Sequence, residues 1–244
     1  MPAAATRLVR FSPIASGFAA AGLAAPASAQ VAVEATLQTD YRVRGYSVSD
    51  EQPSAALSIS YDDPSGLYVG GSAIGTIRDG EPELLGIQGN AGYAMRIGPT
   101  LSLDAGVSKT QYFYGYGTSR DYDYTELYVG LALPVVSARL SYSPDYYRNN
   151  WETLYAEVEG GIEPAPGWFL SAHGGVLNYL GEPAPYSPKR IFDWRLGATR
   201  QIGPWGVHLD VSGRILGRAS YGLPGGIGTG EDHEAVVLSL TRAF

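Results

Sequence analysis

The sequence contains no cysteine and only 2 methionines among its 244 residues. A chain without cysteine can form neither a disulfide scaffold nor a thiolate metal site. Beyond the N-terminal leader there is no run of roughly 18 apolar residues, so the sequence predicts no transmembrane helix. Convincing helical periodicity is missing as well, which makes a helical enzyme a poor fit.

Basic residues are outnumbered. The chain has 17 Lys and Arg residues against 24 Asp and Glu, a formal net charge of −7. Without the two arginines of the leader the balance is 15 against 24, or −9. An acidic chain of this kind argues against a nucleic-acid partner. Glycine (32) and tyrosine (18) are abundant by contrast, which is typical of curved strands and of aromatic belts at membrane interfaces.

The N-terminus predicts a secretory signal peptide over residues 1–29. Two arginines precede an apolar, alanine-rich stretch, and Ala27-Ser28-Ala29 has the form of an A-x-A cleavage site. The apolar stretch is too short and too rich in alanine to be a good membrane span. We therefore expect an exported chain whose folded domain comprises residues 30–244.

The rest of the chain is a series of segments in which apolar and polar residues alternate with the period of a β-strand. Twelve are predicted, over residues 31–44, 54–62, 67–75, 84–97, 101–112, 122–133, 136–146, 151–163, 168–179, 190–200, 205–216 and 233–244. The last ends on Phe244, and a terminal strand must pair on both sides or remain an exposed edge. Pairing it with the first strand closes a barrel. The expected fold is an all-β, transmembrane outer-membrane β-barrel of 12 antiparallel up-and-down strands.

The predicted connections alternate in length. Those after every second strand are short and centred on proline or glycine, as in Asp62-Asp63-Pro64-Ser65-Gly66. The others are mostly longer and polar, and residues 217–232 form the longest. Outer-membrane barrels alternate tight periplasmic turns with longer extracellular loops in this way, so both termini are expected on the periplasmic side.

Aromatic residues are predicted to form two girdles, one near each end of the barrel. The short-turn girdle consists of Tyr61, Trp168, Trp205 and Phe244. The long-loop girdle consists of Tyr41, Tyr112, Tyr114, Tyr142, Trp151 and Trp194. The tyrosine-rich segment 112–124 is also compatible with a sugar-stacking platform, although a belt is the more common use of such residues. Leucines on apolar strand faces are expected to contact lipid, namely Leu85, Leu103, Leu131, Leu140, Leu196, Leu209 and Leu238.

One segment resembles a known family signature. It reads Thr39-Asp40-Tyr41-Arg42-Val43-Arg44-Gly45-Tyr46-Ser47, followed by Pro53, Tyr61 and Gly66-Leu67-Tyr68-Val69-Gly70. This is similar to the N-terminal signature of the TorF family of porins, earlier catalogued as a conserved bacterial family of unknown function of the Gcw_chp type. The strong resemblance covers about residues 36–75. It implies an outer-membrane barrel.

If the apolar faces contact lipid, the polar faces line the lumen. That set consists of Glu34, Asp40, Arg42, Arg44, Gln88, Asn90, Arg96, Asp104, Glu126, Arg139, Glu157, Glu159, His173, Asp193, Arg195, His208, Asp210 and Arg214. Buried charges need partners, and both signs are present in comparable numbers. Two compatible roles follow, a lattice of ion pairs that fills and rigidifies a narrow barrel and a constriction that selects solutes by charge.

Four of these residues are expected to form one band across the inner wall. Counted from the short turns, Glu159, His173, Arg195 and Asp210 have similar heights on four successive strands. Adjacent strands lie about 4.8 Å apart, which brings the four side chains together. Arg195 is then expected to bridge Asp210 on one side and His173 or Glu159 on the other.

Residues suited to catalysis or metal binding are few. Ser171 and His173 share a strand face, but side chains two residues apart lie about 7 Å from each other, too far for direct proton transfer. His208 and Asp210 have the same spacing. Arg195 lies on the strand between the two histidines and is a poor neighbour for a cation. No catalytic residue, metal site or cofactor is therefore predicted.

The sequence thus predicts a passive diffusion channel for small hydrophilic solutes, and not an enzyme, in the outer membrane of a Gram-negative bacterium. Its expected partners are outer-membrane lipids, the solutes, and the barrel-assembly machinery, which reads the C-terminal strand. Two alternatives remain open. One is a non-conducting structural or adhesion barrel that displays its loops, and the other is a lipid-modifying barrel enzyme.

Overall fold

The computed structural model describes residues 30–78, 80–113, 121–147, 151–181, 189–216 and 234–244, with only the backbone of residues 121 and 122. The predicted signal peptide, Tyr114 and the longest loop lie outside these ranges. Within them, no helix is long and apolar enough to cross a membrane.

The described residues form 14 strands. They are β1 (Gln30–Gln38), β2 (Arg42–Val43), β3 (Tyr46–Ser47), β4 (Ser54–Asp62), β5 (Leu67–Arg78), β6 (Glu81–Ile97), β7 (Leu101–Phe113), β8 (Asp121–Ala132), β9 (Val136–Tyr146), β10 (Trp151–Ala165), β11 (Trp168–Tyr179), β12 (Arg190–Ile202), β13 (Trp205–Leu216) and β14 (Ala235–Ala243). Twelve of them form one closed antiparallel barrel, and β2 pairs only with β3. The predicted 12-stranded up-and-down barrel is confirmed.

The barrel closes through its terminal strands, as predicted. β1 pairs with β14 from Glu34 to Gln38, and the amide of Phe244 donates to the carbonyl of Val33 at 2.9 Å. Every described barrel strand therefore has a neighbour on each side, which removes the exposed edge that an open sheet would leave.

The outer face of the barrel is apolar. Among the leucines predicted to contact lipid, those exposed on this face are Leu131, Leu140, Leu196, Leu209 and Leu238. Leu103 lies on the same face and is partly exposed. Such a surface is suited to the hydrocarbon core of a bilayer.

The short-turn girdle is on the outer face as predicted, because Tyr61, Trp168, Trp205 and Phe244 are all exposed. Arg242 is an unusual residue for this face. Its guanidinium lies 5.0 Å from the ring centroid of Trp205 and 4.8 Å from that of Phe244. The stacking keeps the charge at the level of the aromatic belt, where polar headgroups are within reach.

One connection at the opposite end is shorter than predicted. β5 extends to Arg78 and β6 begins at Glu81, so most of the loop expected between residues 75 and 84 is strand. The chain turns at Gly80, whose φ of 83° is readily adopted only by glycine. Polar residues around the turn interrupt the alternation of apolar and polar residues, so the predicted strands end too early.

The prediction that Leu85 contacts lipid is wrong. A β-bulge shifts the pairing of β5 and β6, so that Ile74 lies opposite Gly86 while Gly75 lies opposite Leu84. Leu85 is the extra residue, and it points into the barrel with 1% of its surface exposed, while Leu84 takes the outward position. A bulge reverses the alternation beyond it.

The first strand is also shorter than predicted. β1 ends at Gln38, and residues 39–51, which we call the inner hairpin, fold into the barrel. Tyr41 and Tyr112, which were predicted for the long-loop girdle, are buried inside the barrel, and Trp151 packs against the same interior cluster. The expected long-loop girdle is therefore reduced, among the described residues, to Tyr142 and Trp194 on outward positions.

Candidate functional site in the barrel lumen

The predicted lumen residues fall into two groups. Those on inward positions of the barrel wall are Glu34, Gln88, Asn90, Asp104, Glu126, Arg139, Glu157, Glu159, His173, Asp193, Arg195, His208, Asp210 and Arg214. Asp40, Arg42 and Arg44 belong to the inner hairpin and not to a wall strand. Arg96 is exposed at the short-turn end of β6, away from the narrow interior.

The inner hairpin is organised around the carboxylate of Asp40. Ser47 and Ser49 donate their hydroxyls to it at 2.5 and 3.0 Å. Arg42 donates Nη1 to the same carboxylate at 2.8 Å and Nη2 to the carbonyl of Gly45 at 2.7 Å. These bonds all lie within one short segment, so the hairpin determines its own shape.

The tip of the hairpin is the two-residue turn Arg44-Gly45. Their φ angles are 50° and 72°, and positive φ at both central residues is the geometry of type I′ hairpin turns. Glycine adopts this conformation readily, whereas arginine does so rarely. The turn presents the Arg44 side chain at the far end of the hairpin.

Arg44 reaches the wall opposite the strand from which the hairpin starts. Its Nη2 donates to Glu126 Oε1 of β8 at 2.6 Å. Its guanidinium lies 3.9 Å from the ring centroid of Tyr155 on β10 and 5.5 Å from that of Tyr146 on β9. In the barrel order β9 is six strands from β1 in either direction. The Arg44 side chain therefore crosses the lumen, whereas the hairpin tip lies against β13 at Gly45.

Apolar and aromatic side chains fill the lumen around the hairpin. This interior cluster consists of Tyr41, Val48, Ile74, Leu85, Tyr112, Tyr124, Tyr146, Tyr155, Leu177 and Tyr179. The phenols of Tyr41 and Tyr112 are hydrogen-bonded to each other. Tyr112 lies against Gly86, where a Cβ would come within 2.6 Å of its ring. The long-loop half of the lumen thus resembles a protein core.

The short-turn half has a polar wall. Arg195 Nη2 donates to Glu159 Oε1 at 2.5 Å, and Glu159 retains 34% of its side-chain exposure. Strand register aligns Glu159, His173 and Arg195 on neighbouring strands. Three members of the predicted band therefore share one level.

Asp210 is the exception. It lies opposite Gly197, whereas Arg195 lies opposite Ser212. Among the described residues, Arg195 forms its ion pair with Glu159 and not with Asp210, so the predicted Arg195–Asp210 bridge is wrong. Counting residues from each turn ignores the stagger between barrel strands, which displaces neighbours along the wall.

His173 belongs to a hydrogen-bonded group on three strands. Its Nε2 lies 2.8 Å from Asp193 Oδ1 and 3.2 Å from the Tyr155 hydroxyl. Tyr155 also donates to Asp193 at 3.1 Å. Tyr155 is not among the predicted lumen residues, although it lies on the same inward face as Glu157. Through Tyr155 this group touches the guanidinium of Arg44.

His208 makes a separate polar contact on the wall. His208 lies 2.8 Å from both the Thr199 and the Thr241 hydroxyls, an arrangement that fixes the ring between two neighbouring strands. Neither hydrogen-bond partner of His208 is a carboxylate that could support catalysis. Within the described ranges, no group of three or more His, Cys, Asp or Glu side chains is arranged to hold a metal ion.

A further wall cluster joins four strands. Tyr68 donates to Asp104 at 3.1 Å and its hydroxyl lies 2.7 Å from that of Tyr128. Arg139 is paired with Asp104 at 3.3 Å and lies 4.5 Å from the Tyr128 ring centroid. Pairing of this kind compensates for the desolvation of charges in a narrow interior.

Negative charge exceeds positive charge on the described wall. Asp104, Glu126 and Glu159 each have an arginine partner. Glu34 and Asp210 form no ion pair with a described residue. Glu157 lies 4.0 Å from His173 and retains 28% of its side-chain exposure. The short-turn half therefore presents carboxylates to the lumen.

A family model described as "Bacterial protein of unknown function (Gcw_chp)" matches residues 21–214. The chain belongs to this family. No curated protein matches it by sequence. The segment that resembles a family signature, around Asp40 and Arg44, forms the inner hairpin.

Solved porins have a similar fold. The NanC porin is 9% identical with a TM-score of 0.56, over 87% of this chain and 99% of NanC. The KdgM porin is 10% identical with a TM-score of 0.53, again over 87% and 99%. A second structure, titled "KdgM porin in complex with disordered oligogalacturonate", has 11% identity and a TM-score of 0.52 over 89% and 99%. At such low identity the likeness concerns the fold.

Proposed function

We propose that this protein is a passive diffusion channel for small hydrophilic solutes in the outer membrane of a Gram-negative bacterium. A signal peptide over residues 1–29 would export it, and the assembly machinery would insert it by reading the strand that ends at Phe244. The outer face would contact outer-membrane lipids. The closed barrel, the apolar outer face and the porin-like fold support this proposal.

The observation that carries the proposal is the charged, partly exposed wall of the short-turn half. A barrel that served only as a membrane anchor could fill its whole interior with closely packed side chains, as the interior cluster does in the long-loop half. Glu157 and Glu159 instead keep about a third of their exposure, at 28% and 34%. Charged rings of this kind select ions in pores.

The surplus of carboxylates on the wall favours cations over anions. Asp210 is buried in the wall beside Gly197 and forms no ion pair with a described residue. The oligogalacturonate named for the KdgM structure is a ligand of that protein. Because the wall described here carries surplus negative charge, we propose neutral and cationic solutes in preference to polyanionic ones.

Planar-bilayer recording of the purified protein in a KCl gradient tests the proposal. We expect discrete conductance steps and a reversal potential on the cation-selective side. Asp210→Asn should reduce the cation preference and Arg195→Ala should increase it, because the two changes alter the wall charge in opposite directions. Lys109→Ala is the matched control, since Lys109 is exposed on the outer face and pairs with Asp123. Anion selectivity, or no steps under any condition, would contradict the proposal.

A second function has one specific observation in its favour. The inner hairpin and the interior cluster occupy the long-loop half of the lumen, as expected for a non-conducting barrel that displays its loops. The same recording separates the two functions, because a displaying barrel would insert into the bilayer without producing conductance steps. Acyl release from lipid substrates, abolished by His173→Ala, would instead favour a lipid-modifying enzyme.

A further inference from the structure

The inner hairpin lies inside the barrel without belonging to the wall. β2 and β3 pair only with each other, so no sheet hydrogen bond of the described barrel depends on them. At its base, the Thr39 amide donates to the Leu238 carbonyl at 3.0 Å, and the Leu238 amide donates to Thr39 Oγ1 at 3.1 Å. The hairpin is therefore anchored at its base by its backbone, lies against β13 at Gly45 and reaches the opposite wall with the side chain of Arg44.

The contacts at the far wall centre on Arg44. They are the ion pair with Glu126 and the stacking on Tyr155 and Tyr146. Gly45 lies against β13 nearby, where its Cβ position would be 2.9 Å from the Cβ of Arg214. Tyr46, the residue after the turn, lies with its ring centroid 5.0 Å from the Arg214 guanidinium of β13. The tip is therefore held by Arg44 at the opposite wall and by Gly45 and Tyr46 at β13.

Backbone strain lies at both ends of the hairpin. Arg44 has a φ of 50° at the tip, and Asp50 and Glu51 have φ angles of 53° and 61° where the chain returns to the wall. Residues other than glycine seldom adopt this region, and among the three aspartate adopts it more readily than arginine or glutamate. Such residues often occur in segments that change conformation. The closed position depends on its contacts to compensate for this strain.

The lumen surfaces on the two sides of the hairpin tip differ in polarity. The short-turn half of the lumen is polar and partly exposed, while the interior cluster packed around the hairpin is apolar. Moving the tip away from Glu126 would connect the two halves. It would not unpair any barrel strand, since β1 already ends at Gln38.

We propose that the inner hairpin is a movable closure of the channel and that Arg44 is its latch. With Arg44 on Glu126 and Tyr155 the lumen is closed at the long-loop half, and release of the tip opens it. This inference rests on the proposed channel function and adds the regulation of that same lumen. The family signature segment then has a defined role, in which Asp40 shapes the hairpin and Arg44 fastens it.

Single-channel recording of latch variants tests the inference. Arg44→Ala removes the latch, and Glu126→Gln keeps the shape of its partner but removes the charge. Loss of one partner of a buried ion pair is costly to the closed state, so we expect the ratio of open to closed time to rise by about a hundredfold in Arg44→Ala. Glu126→Gln should give a smaller rise, and Lys109→Ala should give none because its ion pair is outside the barrel.

A disulfide lock provides the opposite test. The chain has no cysteine, so Gly45→Cys with Arg214→Cys introduces a unique pair. Their Cβ positions are 2.9 Å apart, about 1 Å closer than the usual disulfide spacing. Gly45 also has a φ of 72°, and its Cβ position is 2.8 Å from the Gly213 carbonyl oxygen, so the tip must shift to accept the cysteine and the bond. The oxidised double variant should stay closed, and reduction should restore opening. Each single-cysteine variant serves as a control for the substitutions themselves.

The outcomes separate this inference from the proposed function. If the wild type conducts and neither the latch variants nor the lock changes its open time, the closure is overturned and the channel stands. If the wild type conducts rarely, the latch variants conduct often and the oxidised lock stays silent, both stand. If the wild type, Arg44→Ala and Glu126→Gln all insert without conductance steps, the channel function fails and the closure fails with it.

Discussion

The two halves of this lumen are built by the same strands and yet differ in kind. Toward the long loops, tyrosines and aliphatic side chains enclose a hairpin, and Ser143 and Thr153 on that wall are fully buried. Toward the short turns, ion pairs such as Arg195–Glu159 remain partly exposed. The outer face is apolar along both halves. The comparison indicates that the membrane determines the outside, whereas the inner hairpin determines where the inside is dry.

Ion pairs show the same contrast at a single contact. In the long-loop half, Arg44 and Glu126 keep 13% and 10% of their exposure and are covered by Tyr155. In the short-turn half, Arg195 and Glu159 keep 16% and 34%. A covered pair is sensitive to the loss of either partner, whereas a solvent-exposed pair contributes little. In the proposed channel, similar residue types would hold the closure in one half and select charge in the other.

The largest expected effect is the loss of a tyrosine from the interior cluster. Tyr112→Ala removes a ring that packs on Gly86 and hydrogen-bonds Tyr41, and we expect it to lower the free energy of unfolding by about 3–5 kcal/mol. Tyr68→Ala, the matched change in the short-turn half, should cost clearly less because Tyr68 is only partly buried. Urea unfolding in phospholipid vesicles measures both. Equal costs would mean that the two halves are packed alike.

Substitution of Leu85 tests whether the β-bulge places this side chain inside the long-loop half of the lumen. Leu85→Ala should cost about 2–5 kcal/mol, because it leaves a cavity among buried side chains. Leu84→Ala, one residue away on the outer face, should have a much smaller effect on the same unfolding measurement. If the two costs were reversed, Leu85 would contact lipid and the strand register would have to shift.

The outer face provides the reference that both halves share. Leu209 is half exposed on this face of β13, and Leu209→Arg should lower the free energy of unfolding in vesicles by about 2–4 kcal/mol, the cost of a charge near the bilayer centre. The same variant in detergent should lose less. An unchanged free energy of unfolding in vesicles would contradict a lipid-facing position for Leu209.

The smallest effect on stability is expected in the short-turn half. Arg195→Ala removes a pair whose carboxylate partner is about one-third exposed, and we expect a loss of about 0–1 kcal/mol. Its ion selectivity should nevertheless change, as described above. A loss as large as that of Tyr112→Ala would indicate that this pair holds the barrel together and leaves no role for it in selection.

Alternation along the chain was sufficient to predict the barrel, because contact with lipid imposes one apolar face on every spanning strand. It predicted twelve strands, their closure through residues 233–244 and the outward position of Leu209 and Leu238. Residues 39–44 were predicted to continue the first strand for the same reason. They alternate as a strand does, and the only local signal of a turn is Gly45 after Arg44.

The features that alternation cannot specify are those determined by contacts between distant strands. The bulge at Leu85 is defined by pairing with β5, and the partner of Arg195 is defined by the stagger of β10 to β12. Glu126, the ion-pair partner of Arg44, is 82 positions away in the chain. Its role depends on an Arg44 side chain that crosses the lumen, and the alternation of single strands does not specify such a contact.

The contrast between the two halves is tested most directly by the chemical accessibility of single cysteines on the inner wall. The chain has no cysteine of its own, so Ser171→Cys in the short-turn half and Ser143→Cys in the long-loop half each give one thiol. Ser171 is partly exposed and Ser143 is fully buried. The folded protein is treated with a charged, membrane-impermeant thiol reagent. We expect the thiol of Ser171→Cys to be modified and the thiol of Ser143→Cys to be protected until Arg44→Ala is added. Equal modification of the two thiols in the presence of Arg44 would contradict this expectation.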